Sequence, residues 1–375
     1  LPTSLNINDT ADITVFYHGS PQQDPSGWGG FYYSNDYVFN LGVGFHSNPH
    51  TYGRVWYPTI DHFEERSTYE FHITTDLSNR AMCNGIEQGS DTIGSNITWN
   101  WLMETEIPSY LVSMAVAPYY VIKDKFIGVQ RDHPIWLACK ERDTINVKKS
   151  FVNLKSCAKT FETFYGPHKF DKIGFTMVPF GSGAMEHATN IAYPISACDG
   201  TTNRETLMAH EFAHHWWGDN ITCETALDMW INEGWASYSE ALFTEQQYGE
   251  QAYKDYVRDN HRNVLHLTHV KDAGPRAIYG IPHEFTYGSH VYDKGADVAH
   301  TLRWYMGDTD FKRAVHSIMH NSSMQNINSL QLRDSFQKYT EKDMTAFFEN
   351  WVFNPGFPHL EIQDQSIEPD GDKFT

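Results

Sequence analysis

Met208-Ala209-His210-Glu211-Phe212-Ala213-His214-His215-Trp216-Trp217-Gly218 is the stretch that decides the fold of this 375-residue chain. His210 and His214 stand four residues apart, so a helix places both imidazoles on one face, and Glu211 follows the first of them. The chain contains 20 histidines, so one pair at this spacing is expected about once by chance. The interpretation therefore depends on the surrounding residues.

A helix over about residues 203–217 is predicted around this pair. Thr202-Asn203-Arg204-Glu205 has the pattern of a capping box, and Gly218 stands where a glycine after the helix end belongs. Apolar residues surround the two histidines: Leu207, Met208, Phe212, Ala213 and Trp216. The pattern indicates a buried helix that carries the site.

Glu233 completes a possible set of metal ligands. Eighteen residues separate it from His214, and it lies within a second apolar-periodic segment over about 232–247. A catalytic zinc ion needs three protein ligands and leaves its fourth position to water. We therefore predict one Zn²⁺ per chain, bound by His210, His214 and Glu233. The alternative is that both histidines are hydrogen-bonded core residues and that Glu233 is an ordinary acid at a helix start.

Three motifs resemble those of the gluzincin zinc aminopeptidases, the family of aminopeptidase N and leukotriene-A hydrolase. The His-Glu-x-x-His pattern is followed by Asn-Glu-Gly, with eighteen residues between the second histidine and the glutamate. Gly181-Ser182-Gly183-Ala184-Met185-Glu186-His187 is similar to the family's Gly-x-Met-Glu-Asn motif, and Tyr292-Asp293-Lys294-Gly295 is similar to its Tyr-Glu-Lys-Gly segment. The resemblance covers essentially the whole chain, and its specific motifs lie between residues 181 and 295.

The resemblance implies a zinc metallopeptidase that releases N-terminal residues from peptide or protein substrates. Glu211, next to a ligand but not one itself, is expected to act as the general base. By resemblance, Tyr292 donates its hydroxyl to the oxyanion, and Glu186 binds the free α-ammonium group. The same motif offers three further substrate-binding residues: Gly183, Ala184 and Met185.

Two positions depart from the family pattern at the amine end. His187 replaces the usual Asn, and Pro49, five residues before Arg54, stands where the family places a Glu or Gln that also holds the amine. These departures leave open a zinc endopeptidase or another amide hydrolase with a weakened amine subsite. A non-catalytic module that keeps the zinc site as a scaffold is a further alternative, against which Glu211 argues.

Composition limits the class of protein and its partners. The chain is 40% hydrophobic with a net charge of −19, and it has no cluster of Lys and Arg, so neither a nucleic acid nor an anionic membrane is an expected partner. No run approaches the roughly 18 apolar residues of a membrane span. The oligomeric state cannot be read from the sequence.

The compartment stays open on cysteine usage. The five cysteines, Cys83, Cys139, Cys157, Cys198 and Cys223, lie too far apart for a metal motif, and their odd number leaves at least one thiol unpaired. Four Asn residues fit the glycosylation pattern: Asn8, Asn96, Asn220 and Asn321. A secreted or cell-surface location is slightly favoured over a cytoplasmic one.

The predicted fold is multidomain α+β. Residues 1–142 form an N-terminal all-β domain, with strands at Asp12–Tyr17, Tyr69–Thr74 and Ile97–Trp101. Residues 143–355 form a mainly helical, thermolysin-like zinc-peptidase domain, an architecture that the family resemblance implies.

Two further strand predictions concern the rest of the chain. Ile173–Phe180 is expected to be a strand with Pro179 at a sheet edge or strand end, where an extended peptide can pair. In residues 356–375, Leu360–Ile362 and Lys373–Thr375 flank a Pro-Asp-Gly-Asp turn signal, so we expect the beginning of a further, truncated β domain.

Overall fold

The computed structural model describes residues 4, 6, 9–357, 369–370 and 373–374. The first part of the chain folds into two antiparallel sheets, whose strand orders are β1-β2-β7-β4 and β3-β6-β5. The strands are β1 (Gly29–Ser34), β2 (Tyr37–Gly44), β3 (Arg66–Asp76), β4 (Arg80–Cys83), β5 (Ile86–Ile93), β6 (Asn96–Pro108) and β7 (Met114–Ala117).

Two of the three strands predicted in this region are confirmed. Tyr69–Thr74 lies within β3, and Ile97–Trp101 lies within β6. The prediction for Asp12–Tyr17 is wrong, because that segment forms no strand and Phe16 is 93% exposed. Alternating apolar residues alone do not make a strand, because the segment also needs an adjacent strand with which to pair.

A mixed sheet connects the strand-rich part of the chain to the helical part. It consists of β8 (Tyr120–Ile127), β9 (Asp132–Cys139), β10 (Ile173–Val178) and β11 (Ile191–Pro194), in the order β11-β10-β9-β8. β8 pairs antiparallel with β9, whereas β9, β10 and β11 are parallel. The sheet takes strands from both sides of residue 142, and the domain boundaries stay predictions.

The strand predicted at Ile173–Phe180 lies in the interior of this sheet rather than at its edge. All six residues of β10 are buried, as expected for a parallel strand covered on both faces. The strand stops before Pro179. At the edge, Met185 pairs with Ala192 of β11 through backbone hydrogen bonds of 3.0 and 2.9 Å. The segment that begins at Gly181 therefore meets the sheet edge at Met185.

Helices dominate from residue 144 to residue 353. The α-helices are α1 (Thr144–Ser150), α2 (Leu154–Tyr165), α3 (Glu205–Ala213), α4 (Trp230–Tyr248), α5 (Glu250–Asn263), α6 (His269–Lys271), α7 (Gly295–Met306), α8 (Asp308–Asn321), α9 (Ser329–Gln337) and α10 (Met344–Phe348). π-helical turns occur at Val264–Thr268, His290–Lys294 and Glu349–Phe353. The predicted α+β class is confirmed.

Short strands complete the described structure. β12 (Ile221–Cys223) pairs in parallel with β13 (Gln325–Ile327). β14 (Pro369–Asp370) pairs antiparallel with β15 (Lys373–Phe374), at the predicted turn signal. Leu360–Ile362 lies outside the described residues. In the part of the chain that the structure describes, no helix has the length and apolar character needed to cross a lipid bilayer.

The ends of α3 differ from the sequence prediction. Arg204 precedes the helix, no side chain caps it, and the Glu205 carboxylate accepts hydrogen bonds from Asn153 and Tyr248 instead. The capping-box prediction is therefore wrong. The helix ends at Ala213, five residues before Gly218, whose φ of +129° is in the region that favours glycine.

Burial bears on two earlier observations, the unpaired cysteines and the glycosylation patterns. All five cysteines are buried free thiols. Asn220 is 0% exposed, so folding removes this glycosylation pattern from solvent, whereas Asn96 and Asn321 are exposed and Asn8 lies outside the described residues.

Candidate functional site

Two neighbouring helices bring the predicted metal ligands together. His210 lies on α3, His214 follows its last residue, and Glu233 lies in the first turn of α4. The Glu233 Oε2 atom is 3.3 Å from the Nε2 atoms of both His210 and His214. One nitrogen or oxygen atom from each residue lies within 4.8 Å of the others, and all three residues are buried.

Hydrogen bonds orient both imidazole rings toward this point. The Nδ1–H of His210 donates to Glu240 Oε1 at 3.0 Å, and the Nδ1–H of His214 donates to the Trp217 carbonyl at 2.8 Å. Each ring therefore turns its Nε2 atom toward Glu233. Two imidazole nitrogens and one carboxylate oxygen form a donor set that fits Zn²⁺.

Glu240 is a candidate site residue that the sequence reasoning missed. Its Oε1 atom accepts the His210 hydrogen bond, and its Oε2 atom accepts a 2.7 Å bond from the Tyr256 hydroxyl. A carboxylate behind a metal-binding histidine fixes the ring and makes it a stronger ligand. The signal was present, because Glu240 follows Glu233 by seven residues, which is two turns along the same face of α4.

Gly218 has a role other than the predicted helix stop. A Cβ atom at this position would lie 2.9 Å from the Nδ1 atom of His214. Any side chain would therefore press on the ring of a predicted ligand. This close approach and the positive φ together explain why a glycine occupies this position.

Two further carboxylates lie beside the metal ligands. One carboxylate oxygen of Glu186, one of Glu211 and one ring nitrogen of His214 lie within 4.8 Å of one another. Burial raises the pKa of Glu211 to about 8, against the opposing charges of His210 and His214. Burial also raises the pKa of Glu186. A bound divalent cation opposes both effects, because its charge favours the ionised carboxylates.

Tyr292 lies against the first metal ligand. Its ring stacks on that of His210, with centroids 5.9 Å apart and 19° between the planes. It belongs to the π-helical turn His290–Lys294, a distortion that often occurs at functional sites. Burial, followed by the charge of Glu233, raises the pKa of Tyr292 well above its ordinary value, so its hydroxyl stays protonated as a donor.

The two departures from the family pattern lie away from this chemistry. The His187 Nε2 atom accepts a hydrogen bond of 3.1 Å from the backbone N–H of Gly42, and burial lowers the pKa of His187 to about 3. His187 is therefore a neutral, buried acceptor. Pro49 lines a separate cavity together with His50 and His283.

The site opens into a cavity of about 550 Å³. Every predicted site residue lines it: Gly183, Ala184, Met185, Glu186, His210, Glu211, His214, Glu233 and Tyr292. Three aromatic side chains that the sequence reasoning did not connect with the site line it as well: Trp28, Phe45 and Tyr287. A cavity of this size accommodates a ligand of several residues.

Fold and site together define a helix-based His, His, Glu metal centre with a separate carboxylate beside it, which is the gluzincin arrangement. A model of the peptidase family M1 domain matches residues 145–351. The chain belongs to peptidase family M1, as the sequence motifs predicted.

Relatives agree with this assignment. The chain is 23% identical over 336 residues to Tricorn protease-interacting factor F2 of Thermoplasma acidophilum, covering 86% of this chain and 41% of that protein. It is 27% identical over 346 residues to Homo sapiens aminopeptidase N, covering 82% of this chain and 35% of that protein. The chain thus spans about two fifths of the length of these curated relatives.

Solved structures share the fold. A mutant M1 zinc metallopeptidase from Deinococcus radiodurans, bound to a Tyr-Ser-Ala substrate, gives a TM-score of 0.80 at 20% identity, covering 91% of this chain and 76% of that one. Legionella pneumophila aminopeptidase A in complex with aspartic acid gives 0.73 at 18% identity, covering 87% and 38% respectively.

Proposed function

We propose that the chain carries the active site of a zinc-dependent aminopeptidase. The observation that carries this proposal is the position of Glu186, a buried carboxylate within 4.8 Å of both Glu211 and a predicted zinc ligand. A second carboxylate so close to a hydrolytic centre is costly to ionise unless a cation compensates it. The α-ammonium group of a peptide supplies that charge, next to the bond to be cleaved.

The chain's own residues divide the reaction between them. Zn²⁺, when bound by His210, His214 and Glu233, supplies an activated water molecule and a Lewis acid for the scissile carbonyl. Glu211 takes a proton from the attacking water and delivers it to the leaving amine. Tyr292 donates a hydrogen bond to the carbonyl oxygen as negative charge develops on it.

Glu186 and the segment before it position the substrate. The Glu186 carboxylate binds the ammonium group and thereby sets the first peptide bond, rather than a later one, beside Glu211. Met185 pairs with Ala192 at the sheet edge, and Gly183, Ala184 and Met185 line the cavity. The endopeptidase alternative rested on His187 and Pro49. His187 is hydrogen-bonded to Gly42 and Pro49 lines another cavity, so the proposal places the amine contact on Glu186, and the comparison of free and blocked substrates decides between the two activities.

The test compares free and blocked substrates. Aminoacyl chromogenic substrates should be hydrolysed, their N-acetylated forms at least about tenfold more slowly, and removal of zinc by a chelator should stop both reactions. Glu186→Ala should lower kcat/KM for the free-amine substrates at least about tenfold with zinc content unchanged, since each 1.4 kcal/mol of lost pairing is a factor of ten. It should change hydrolysis of the blocked forms little.

Two outcomes would contradict the proposal. Equal hydrolysis of free and acetylated substrates by the wild-type protein would indicate an endopeptidase. Stoichiometric zinc without hydrolysis of any substrate would indicate a non-catalytic module. Glu250→Gln, which alters an exposed carboxylate on α5, is the matched control and should behave as the wild type.

A further inference from the structure

Three aromatic rings from distant parts of the chain form one continuous stack at the cavity. Trp28 stacks on Phe45 with centroids 4.5 Å apart and 11° between the planes, and Phe45 stacks on Tyr287 at 4.7 Å and 15°. Trp28 lies immediately before β1, Phe45 directly after β2, and Tyr287 in the turn before the π-helical segment. All three are only partly buried and line the cavity.

The stack is attached to the segment that carries Glu186. The Trp28 indole N–H donates a hydrogen bond of 2.7 Å to the carbonyl of Ser182. A Cβ atom on Gly183 would lie 3.8 Å from the same indole, so Gly183 and Trp28 are close neighbours. The aromatic stack and Glu186 therefore lie at the same end of the cavity.

This placement relates the stack to one part of the proposed substrate. In an N-terminal residue, the ammonium group and the side chain are attached to the same carbon atom. A substrate held by Glu186 through its ammonium group must therefore place its first side chain close to Glu186, at the end of the cavity where Trp28 and its partners lie.

The surface at this end is apolar. Val43, Ala184 and Met185 line the cavity together with the three rings. The charged lining residues outside the proposed catalytic set have partners elsewhere: Glu240 binds His210 and Tyr256, and Lys271 and Asp293 both contact Asn263. Partly exposed aromatic rings gain most from covering by another apolar or aromatic group.

We propose that Trp28, Phe45 and Tyr287 form the wall that contacts the first side chain of the substrate, and that the chain selects peptides beginning with a large apolar, above all an aromatic, residue. This inference rests on the proposed function, because Glu186 must hold the ammonium group. A charged first side chain would lose water at this wall without gaining a counter-ion.

One experiment tests the preference by binding, independently of hydrolysis. Calorimetry on the zinc-loaded chain should show L-phenylalanine binding at least about tenfold tighter than L-alanine, L-arginine or L-aspartate, in line with the discrimination that an apolar pocket provides. Arginine is the critical comparison because a guanidinium group can also stack on aromatic rings. Equal affinities, or tighter binding of arginine, would overturn the inference.

Variants link the preference to the stack. Phe45→Ala, which removes the central ring, should bring phenylalanine affinity to within about threefold of alanine affinity. Phe45→Leu keeps an apolar side chain at this position and so disturbs folding less than Phe45→Ala does. It should weaken phenylalanine binding while retaining leucine binding. Phe16→Ala, which removes a 93% exposed ring elsewhere, is the control and should change neither. Unchanged phenylalanine selectivity in Phe45→Ala would also overturn the inference.

Hydrolysis separates this inference from the proposed function. Selective binding of phenylalanine without hydrolysis of any aminoacyl substrate would reject the proposed function but retain the aromatic subsite. Hydrolysis of many substrates with no preference for an aromatic first residue, together with flat binding, would retain the function and reject the subsite.

Discussion

Replacing Glu240 with Ala should weaken zinc binding although Glu240 is not itself a predicted ligand. The substitution removes the acceptor of the 3.0 Å hydrogen bond from His210 Nδ1 and leaves the Tyr256 hydroxyl without its partner. The His210 ring then loses both its fixed orientation and part of its basicity. Loss of such a carboxylate typically costs 10- to 100-fold in metal affinity, which is about 1.4–2.7 kcal/mol. Competition with a chromophoric chelator at fixed pH measures the zinc dissociation constant.

Two control variants show whether the loss of zinc affinity is specific to the Glu240 carboxylate. Tyr256→Phe removes only the hydroxyl that supports Glu240 and leaves the carboxylate that accepts from His210, so it should cost less than about fivefold in zinc affinity. Glu250→Gln changes an exposed carboxylate and should cost nothing measurable. A Glu240→Ala protein that binds zinc within twofold of the wild type would refute the argument that this carboxylate orients His210.

Three further predictions concern single side chains. Glu211→Gln should retain stoichiometric zinc by metal analysis but lose at least about 10³ in kcat, whereas retained turnover would remove Glu211 from the mechanism. Tyr292→Phe should lower kcat by about 10²–10³ with little change in zinc content, and an effect confined to KM would contradict an oxyanion role. His187 has a pKa lowered to about 3 by burial, below its unfolded value of 6.5, so the unfolded state binds more protons and stability falls as pH drops below 6.5. His187→Asn should therefore flatten the pH dependence of thermal unfolding between pH 6.5 and 4.5 by up to about 1.4 kcal/mol per pH unit, and identical slopes would contradict this assignment.

The predictable parts of the fold are those set by short-range patterns. The β3 and β6 segments alternate between apolar and polar residues and pair antiparallel along their length, so their pattern and their pairing agree. The segment at Asp12–Tyr17 has a similar composition but no adjacent strand in the described structure. Ile173–Val178 forms a strand, as predicted. Its interior position depends on its pairing with β11, which begins more than ten residues further along the chain.

In the site as well, residues close in the sequence could be grouped from their spacing, whereas residues far apart in the sequence could not. His210, Glu211 and His214 belong to one helical segment, so their spacing was sufficient to group them. Glu240 was within reach of the same reasoning, since it shares a face of α4 with Glu233, but no local pattern relates it to His210. Trp28 and Phe45 lie more than 130 residues before Glu186, and only tertiary structure brings them to its cavity.

Two glycines bring two separate sequence motifs into contact. Gly234 follows the predicted ligand Glu233, and Gly295 ends the segment that carries Tyr292. A Cβ atom on Gly234 would lie 2.8 Å from the Cα atom of Gly295, so α4 and the start of α7 touch backbone to backbone at this point. Only glycine permits that approach on both sides. The contact brings the π-helical turn close enough to α4 for Tyr292 to stack on His210, which neither motif encodes alone. The glycines thus define the distance between the metal ligands and the proposed oxyanion donor, although neither has a side chain that could take part in the chemistry.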